Sequence, residues 1–191
     1  MSAPHDPRPV LDAPLHALLT DIAAKLEPLC GIDAGAILVV ALSAHGTAAA
    51  SVRSLHQTAE RVVVDGRPRA WELALRPPFF LEGDATRRLG TLVHELLHLD
   101  PRRPGLLLDE RRHTHRPHEE HEREAVALAQ QWLATADLSL LAPLGHHGEA
   151  MMRHWKHRPV PDTRGRAFTE ADLFLSPILM CTPKDRRTVW W

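Results

Sequence analysis

Tyrosine is absent from this 191-residue chain and cysteine occurs only twice. No stretch of apolar residues approaches the ~18 needed to span a bilayer as a helix. Each shortage excludes something. Cys30 and Cys181 lie far apart with no partner spacing, so neither a disulfide framework nor a cysteine metal site is expected, and both read as buried free thiols. The opening MSAPHDPRPV carries Pro and Asp where a secretory leader needs a basic start and an apolar core. A soluble protein of the cytoplasm is therefore expected. A formal net charge of -1 argues against a global attraction to nucleic acid or an acidic membrane surface. The missing phenol means that any chemistry in need of one must use another donor.

Hydrophobic residues make up 44% and charged residues 25%, ordinary globular usage for a chain long enough to bury one solid core. Residues 1–11 read as a flexible arm, 12–144 as one domain, and 145–191 as a His- and Arg-rich segment packed on it. Leu15, Leu18, Leu19, Ile22 and Leu26 follow helical spacing behind Asp12. GAILVVALSA, 35–44, suits a buried strand. RVVVDGRPRAWELAL, 61–75, carries an Asp65-Gly66 turn between β-type runs, a hairpin that Pro68 pushes to a sheet edge. Pro77-Pro78 ends the strand, and Asp84 then caps a helix whose broad apolar face is Leu89, Leu92, Val93, Leu96 and Leu97. After a Pro- and Arg-rich loop with one turn near LLLDE, a second helix begins near Pro117, with the apolar stripe Ala125, Val126, Ala129, Trp132, Leu133, Ala136, centred on Ala125, Ala129, Trp132 and Ala136.

Inside the first of these helices, TLVHELLHLD places His94, Glu95 and His98 among aliphatic residues. Positions four apart on a helix stand one above the other, so His94 and His98 can aim both imidazoles at one point. Glu95, about 100° further round, can instead reach a water on a metal held there. This is the HExxH pattern of zinc peptidases. Composition alone would produce it about 0.06 times in such a chain. Burying three unpartnered polar groups for structural reasons would cost about 1–3 kcal/mol each.

A catalytic zinc needs a third protein ligand and an open position. The metzincin continuation is excluded, because LDPRRPG lacks its Gly and has Pro104 where its third His would stand. RPHEEHEREAVALA remains. Helical phase puts His118 and Glu122 on the inward face, His121 at its margin, and Glu119, Glu120 and Glu124 away from it. Glu122 is the leading candidate and His118 the runner-up; His121, Glu124, His113 and His115 stay open. Whichever of His118 and Glu122 does not bind suits a role of orienting a ligand imidazole. With tyrosine absent, an oxyanion donor is sought in His146, His147, Arg153, His154 and His157. Arg102, Arg103, Arg111 and Arg112 form a basic loop that could favour an acidic substrate, and Trp190 and Trp191 could dock on the domain or on a partner.

HELLH followed by E-R-E-A-x-x-L-A-x-x-W-L resembles the gluzincin-type arrangement of the ImmA/IrrE-like metallopeptidases, intracellular bacterial and phage proteins that cleave or regulate repressors. The resemblance covers about residues 84–136, departing at Val126 and Leu128. It implies His94, His98 and Glu122 as zinc ligands and Glu95 as the base. Small phage-type metallopeptidases are also similar, and there a histidine after the loop could be the ligand, which keeps His118 open. The expectation is an α+β, zincin-like domain: N-terminal helix, small sheet with an edge hairpin, active-site helix, ligand helix and an irregular C-terminal region. Its expected function is zinc-dependent hydrolysis of a protein or peptide, or, alternatively, a catalytically weak zincin fold that recognises a protein partner. Association with DNA draws only on the basic loop and tail.

Overall fold

The computed structural model describes residues 8–43, 48–55, 61–111, 117–146, 148–160 and 166–180. Arg112, His113, His115, His147, Cys181, Trp190 and Trp191 lie outside these. The chain is a mixture of helices and small sheets, of the α+β class expected. None of its described helices is long and apolar enough to cross a membrane.

The central sheet has three strands in the order β1 (Ile37–Ala41), β5 (Trp71–Leu75), β2 (Ala50–Ser54). β1 runs parallel to β5, and β2 antiparallel to it. Both parallel strands are buried along their whole length; β1 accordingly reads as a continuous apolar run, whereas β5 is interrupted by the buried Glu72. Ile37, Val39, Trp71, Leu73 and Leu75 face a core shared with α1 (Asp12–Lys25), α3 (Ala85–Leu96) and α4 (His118–Leu133). Leu38, Val40 and Ala74 point the other way, into a smaller cluster with Leu55, Val62, Val64 and Phe168.

The structure revises the sequence reading in four places. The turn at Asp65-Gly66 exists, with φ of 54° and 70° as an I′ turn requires. It joins only β3 (Val63–Val64) to β4 (Arg67–Pro68). Residues 71–75 belong to the centre of the larger sheet, so the free edge near the HExxH helix is β2. Second, Pro77 and Pro78 open α2 (Pro77–Leu81), because a proline in the first turn of a helix loses no internal hydrogen bond. Third, the C-terminal region is regular: after the short α5 (Ala142–Gly145), β6 (Gly148–Trp155) pairs with β7 (Leu173–Met180) in an eight-residue antiparallel ladder. Fourth, Cys30 is exposed; Leu29 takes the inward position of the 3₁₀ turn that follows α1.

One charged residue holds the second face together. Glu72 is fully buried, and its carboxylate accepts from Arg53 Nη2 at 2.7 Å, Trp155 Nε1 at 2.7 Å and Arg158 Nη2 at 2.6 Å. Strands β2, β5 and β6 are thus tied to one carboxylate. Burial alone would raise its pKa, but the hydrogen bonds and charges of Arg53 and Arg158 outweigh that, and it sits below the ordinary glutamate value. A depressed folded-state pKa adds stability that is complete above the unfolded value of about 4.3 and is lost as pH falls through the folded one. Glu72→Gln is expected to cost about 3 kcal/mol at neutral pH. The variant should also show a flatter loss of stability below pH ~4.3 than the native chain, as read from urea midpoints against pH.

Candidate metal centre

Helix α3 is specified locally. The Asp84 side chain accepts from the Arg87 N–H at 2.9 Å at its start, and Leu89, Leu92, Val93 and Leu96 turn its apolar face into the core. His94 and Glu95 are buried as well, at 7% and 8% exposure. The helix ends inside the motif. Leu97 N–H still bonds to Val93 O at 3.0 Å, but His98 N–H bonds to Glu95 O at 3.2 Å, so the last turn tightens. The following loop secures that turn: Leu108 N–H donates to His98 O at 2.9 Å, and Leu99 bridges Leu107. Asp100 shapes the loop by accepting from the Arg102 N–H and from Arg103 Nε, at 2.9 and 2.6 Å.

Helix α4 supplies the other side. Its buried residues are His121, Ala125, Ala129 and Trp132, one row at helical spacing. Trp132 anchors the far end through an indole hydrogen bond of 2.8 Å to Asp21 Oδ2. His121, with no exposed surface, is therefore carried against α3.

The imidazoles converge there. Ring centroids lie 5.2 Å apart for His94 and His98, 4.5 Å for His94 and His121, and 4.6 Å for His98 and His121, the last pair stacked. One nitrogen from each of His94, His98 and His121 lies within 4.8 Å of the others, a group that could hold a metal ion. Glu122, the carboxylate favoured by the sequence and by the resemblance, stays outside this group. Its side chain is 59% exposed, and Oε2 stands 3.6 Å from His94 Nδ1. His118 is also adjacent, its ring centroid 5.6 Å from that of His94. Glu124 is engaged by both terminal nitrogens of Arg111 at 3.1 Å.

The pattern that singles out His121 is present in the sequence. Counting back four from Ala125 continues the row Ala125, Ala129, whereas Glu122 is three back and rotates out of it. The phase drawn from Ala125, Ala129, Trp132 and Ala136 puts His118 and Glu122 inward and His121 at the margin; in the structure the buried row runs through His121.

Glu95 lines a cavity of about 420 Å³ that also takes in His94, His118, Glu122 and Ala48 to Ala50. Burial raises its pKa to about 7, against the opposing pull of a hydrogen bond from the Val52 N–H and the nearby charge of Arg76. A carboxyl poised there exchanges protons near neutrality. β5 bonds to odd-numbered residues of its neighbour, with Arg76 N–H on Ala49 O and Leu55 N–H on Ala70 O. The peptide groups of Ala50, Val52 and Ser54 consequently point away from β5; Ala50 lines the cleft, while the Val52 N–H is taken by Glu95.

The side chains considered as oxyanion donors are elsewhere. Arg153 pairs with Asp65 at 2.9 Å and Asp12 at 3.4 Å. His154 is buried against Phe174 with its pKa pushed down by that burial, and His146 contacts Glu149 O at 3.2 Å. Neither these nor His157 line the cavity. Two arginines of the basic loop are likewise occupied internally, Arg103 by Asp100 and Arg111 by Glu124.

No protein-family model matches the chain, and no curated protein or solved structure matches it either. What the centre can do chemically is thus argued from its own geometry: three imidazoles suited to a divalent transition metal, a buried carboxyl of near-neutral pKa beside them, and a cleft bordered by an open strand edge.

Proposed function

We propose that this chain is a zinc-dependent peptidase in which His94, His98 and His121 bind the metal and Glu95 is the general base. The observation that carries the reading is the convergence of three imidazoles from two helices beside a buried glutamate that opens onto a cleft. Zinc bonds to imidazole are about 2.0–2.1 Å long, and nitrogens already within 4.8 Å of one another need only small side-chain rotations to meet one ion. Bound zinc would supply a Lewis acid for the scissile carbonyl and lower the pKa of a water molecule.

The remaining work belongs to the chain. Glu95 takes a proton from the attacking water and returns it to the leaving amine nitrogen. The start of β2 at Ala50, the part of that edge strand that borders the cleft beside the small side chains of Ala48 and Ala49, receives an extended peptide by strand addition. Glu122, facing His94 Nδ1, favours the tautomer that presents the other nitrogen to the ion.

Stripping metal from the chain should abolish cleavage of an unstructured protein substrate, and one equivalent of zinc per chain should restore it. Binding of one zinc with no cleavage of any peptide would point instead to the partner-recognition module. That second reading has its own support in His118, whose ring lies outside the three-histidine group but 5.6 Å from that of His94, from where a side-chain rotation would carry it toward a fourth position. The visible spectrum of the cobalt-substituted chain, and its response to azide, separates a closed four-histidine site from an open one.

A further inference from the structure

Arg88 is the feature of the cleft that the proposed chemistry leaves unused. It is only 3% exposed, yet it lines the same cavity as His94 and Glu95. Its Nη2 donates to Phe80 O at 2.7 Å and its Nη1 to Leu144 O at 2.5 Å, while Nε is buried with no partner. A guanidinium carries five N–H donors, so its capacity exceeds what these two carbonyls take up.

The charge is equally unmatched. Arg69, the other buried arginine among the described residues, has Asp65 at 3.6 Å. Arg88 forms no ion pair among the described residues, and Asp84 acts on it only at longer range. Elsewhere on the cavity wall, Glu82 and Arg87 are exposed and face each other at 4.0 Å. A buried cation without a counter-charge is costly and calls for an explanation. Here the two carbonyls fix the guanidinium plane of a residue that lines a cleft of about 420 Å³.

Its distance from the reacting centre is set by the helix. Arg88 and Glu95 are seven residues apart on α3, nearly two turns, hence on one face and about 10 Å apart along the axis. An extended peptide covers that span in about three residues.

We propose that Arg88 determines specificity by receiving a carboxylate of the bound peptide, an acidic side chain or a free terminus, about three residues from the scissile bond. The proposal rests on the peptidase reading.

Peptide hydroxamates test it, because they anchor on the metal without turnover. The zinc-loaded full chain is titrated with labelled peptides carrying Glu or Gln at successive positions from the anchor, and with Gln peptides ending in a free or an amidated terminus. Glu near the third position is expected to bind about ten- to a hundredfold tighter than Gln, the worth of a charge-assisted hydrogen bond. Arg88→Met should erase that difference, and Arg88→Lys should keep part of it. If the free terminus alone confers the advantage, the terminal carboxylate is the ligand.

Equal affinity for Glu and Gln peptides in the native chain overturns the assignment, and so does a preference that survives Arg88→Met. The native-chain comparison decides even if Arg88→Met loses its two carbonyl ties and fails to fold. Hydroxamate binding without acidic preference sinks this proposal alone, whereas no hydroxamate binding to the zinc-loaded chain sinks the peptidase reading with it.

Discussion

Glu95→Gln is expected to lower kcat/KM for peptide cleavage by about 10³-fold, within the span that general acid–base catalysis contributes, and to leave the zinc content at one ion per chain. The amide has the size of the carboxyl and keeps an oxygen to accept from the Val52 N–H, so packing in the cleft is retained while proton transfer is lost. Because the native carboxyl is already raised to about 7 by burial, a neutral amide costs little there, and the thermal midpoint should hold or rise slightly. Atomic emission for metal, a melting curve and a peptide assay on one preparation give all three readouts. Activity above about a tenth of the native value would move the proton transfer to another group.

The second large effect concerns the third ligand. If His121 binds the ion, His121→Ala should remove about a third of a metal-binding free energy that in histidine and cysteine sites runs to about 10–16 kcal/mol. That is a loss of about 10³-fold in affinity. Glu122→Gln should cost about 10- to 100-fold, as expected for a group that orients a ligand without touching the metal. Competition with a calibrated zinc chelator measures both. Melting of the metal-free variants should accompany it, because truncating a fully buried ring also removes packing. The opposite ranking, with Glu122→Gln the more damaging, would return the third position to the carboxylate.

The sequence carried much of this site because its helices bury one face. Leu89, Leu92, Val93 and Leu96 fix the phase of α3, and that phase puts His94 and Glu95 at the cleft. Asp84 marks where the helix starts and Asp65-Gly66 where the small hairpin turns, since both rely on local chemistry that a few residues express. What involved distant partners was not legible. β6 and β7 are joined through residues 156–172, and inward Ala150, Met152 and His154 alternate among histidines and arginines that mimic a solvated segment. Trp71 to Leu75 read as one arm of a hairpin, whereas the structure pairs that strand on both sides with segments earlier in the chain, pairings that no short-range pattern announces. His121, the proposed third ligand, lay between these cases. Its helical row was in the sequence, but the distance from α4 to α3 was not.

That distance rests on alanine. Behind His121, the contact row of α4 offers only the methyl groups of Ala125 and Ala129 before Trp132, which lets two backbones approach as larger side chains would not. Affinity for an ion held by the three histidines would in this way be coupled to residues that never meet it. A bulkier side chain at either alanine would wedge the helices apart and draw the third imidazole away from the other two, leaving every ligand in the sequence and none of the grip.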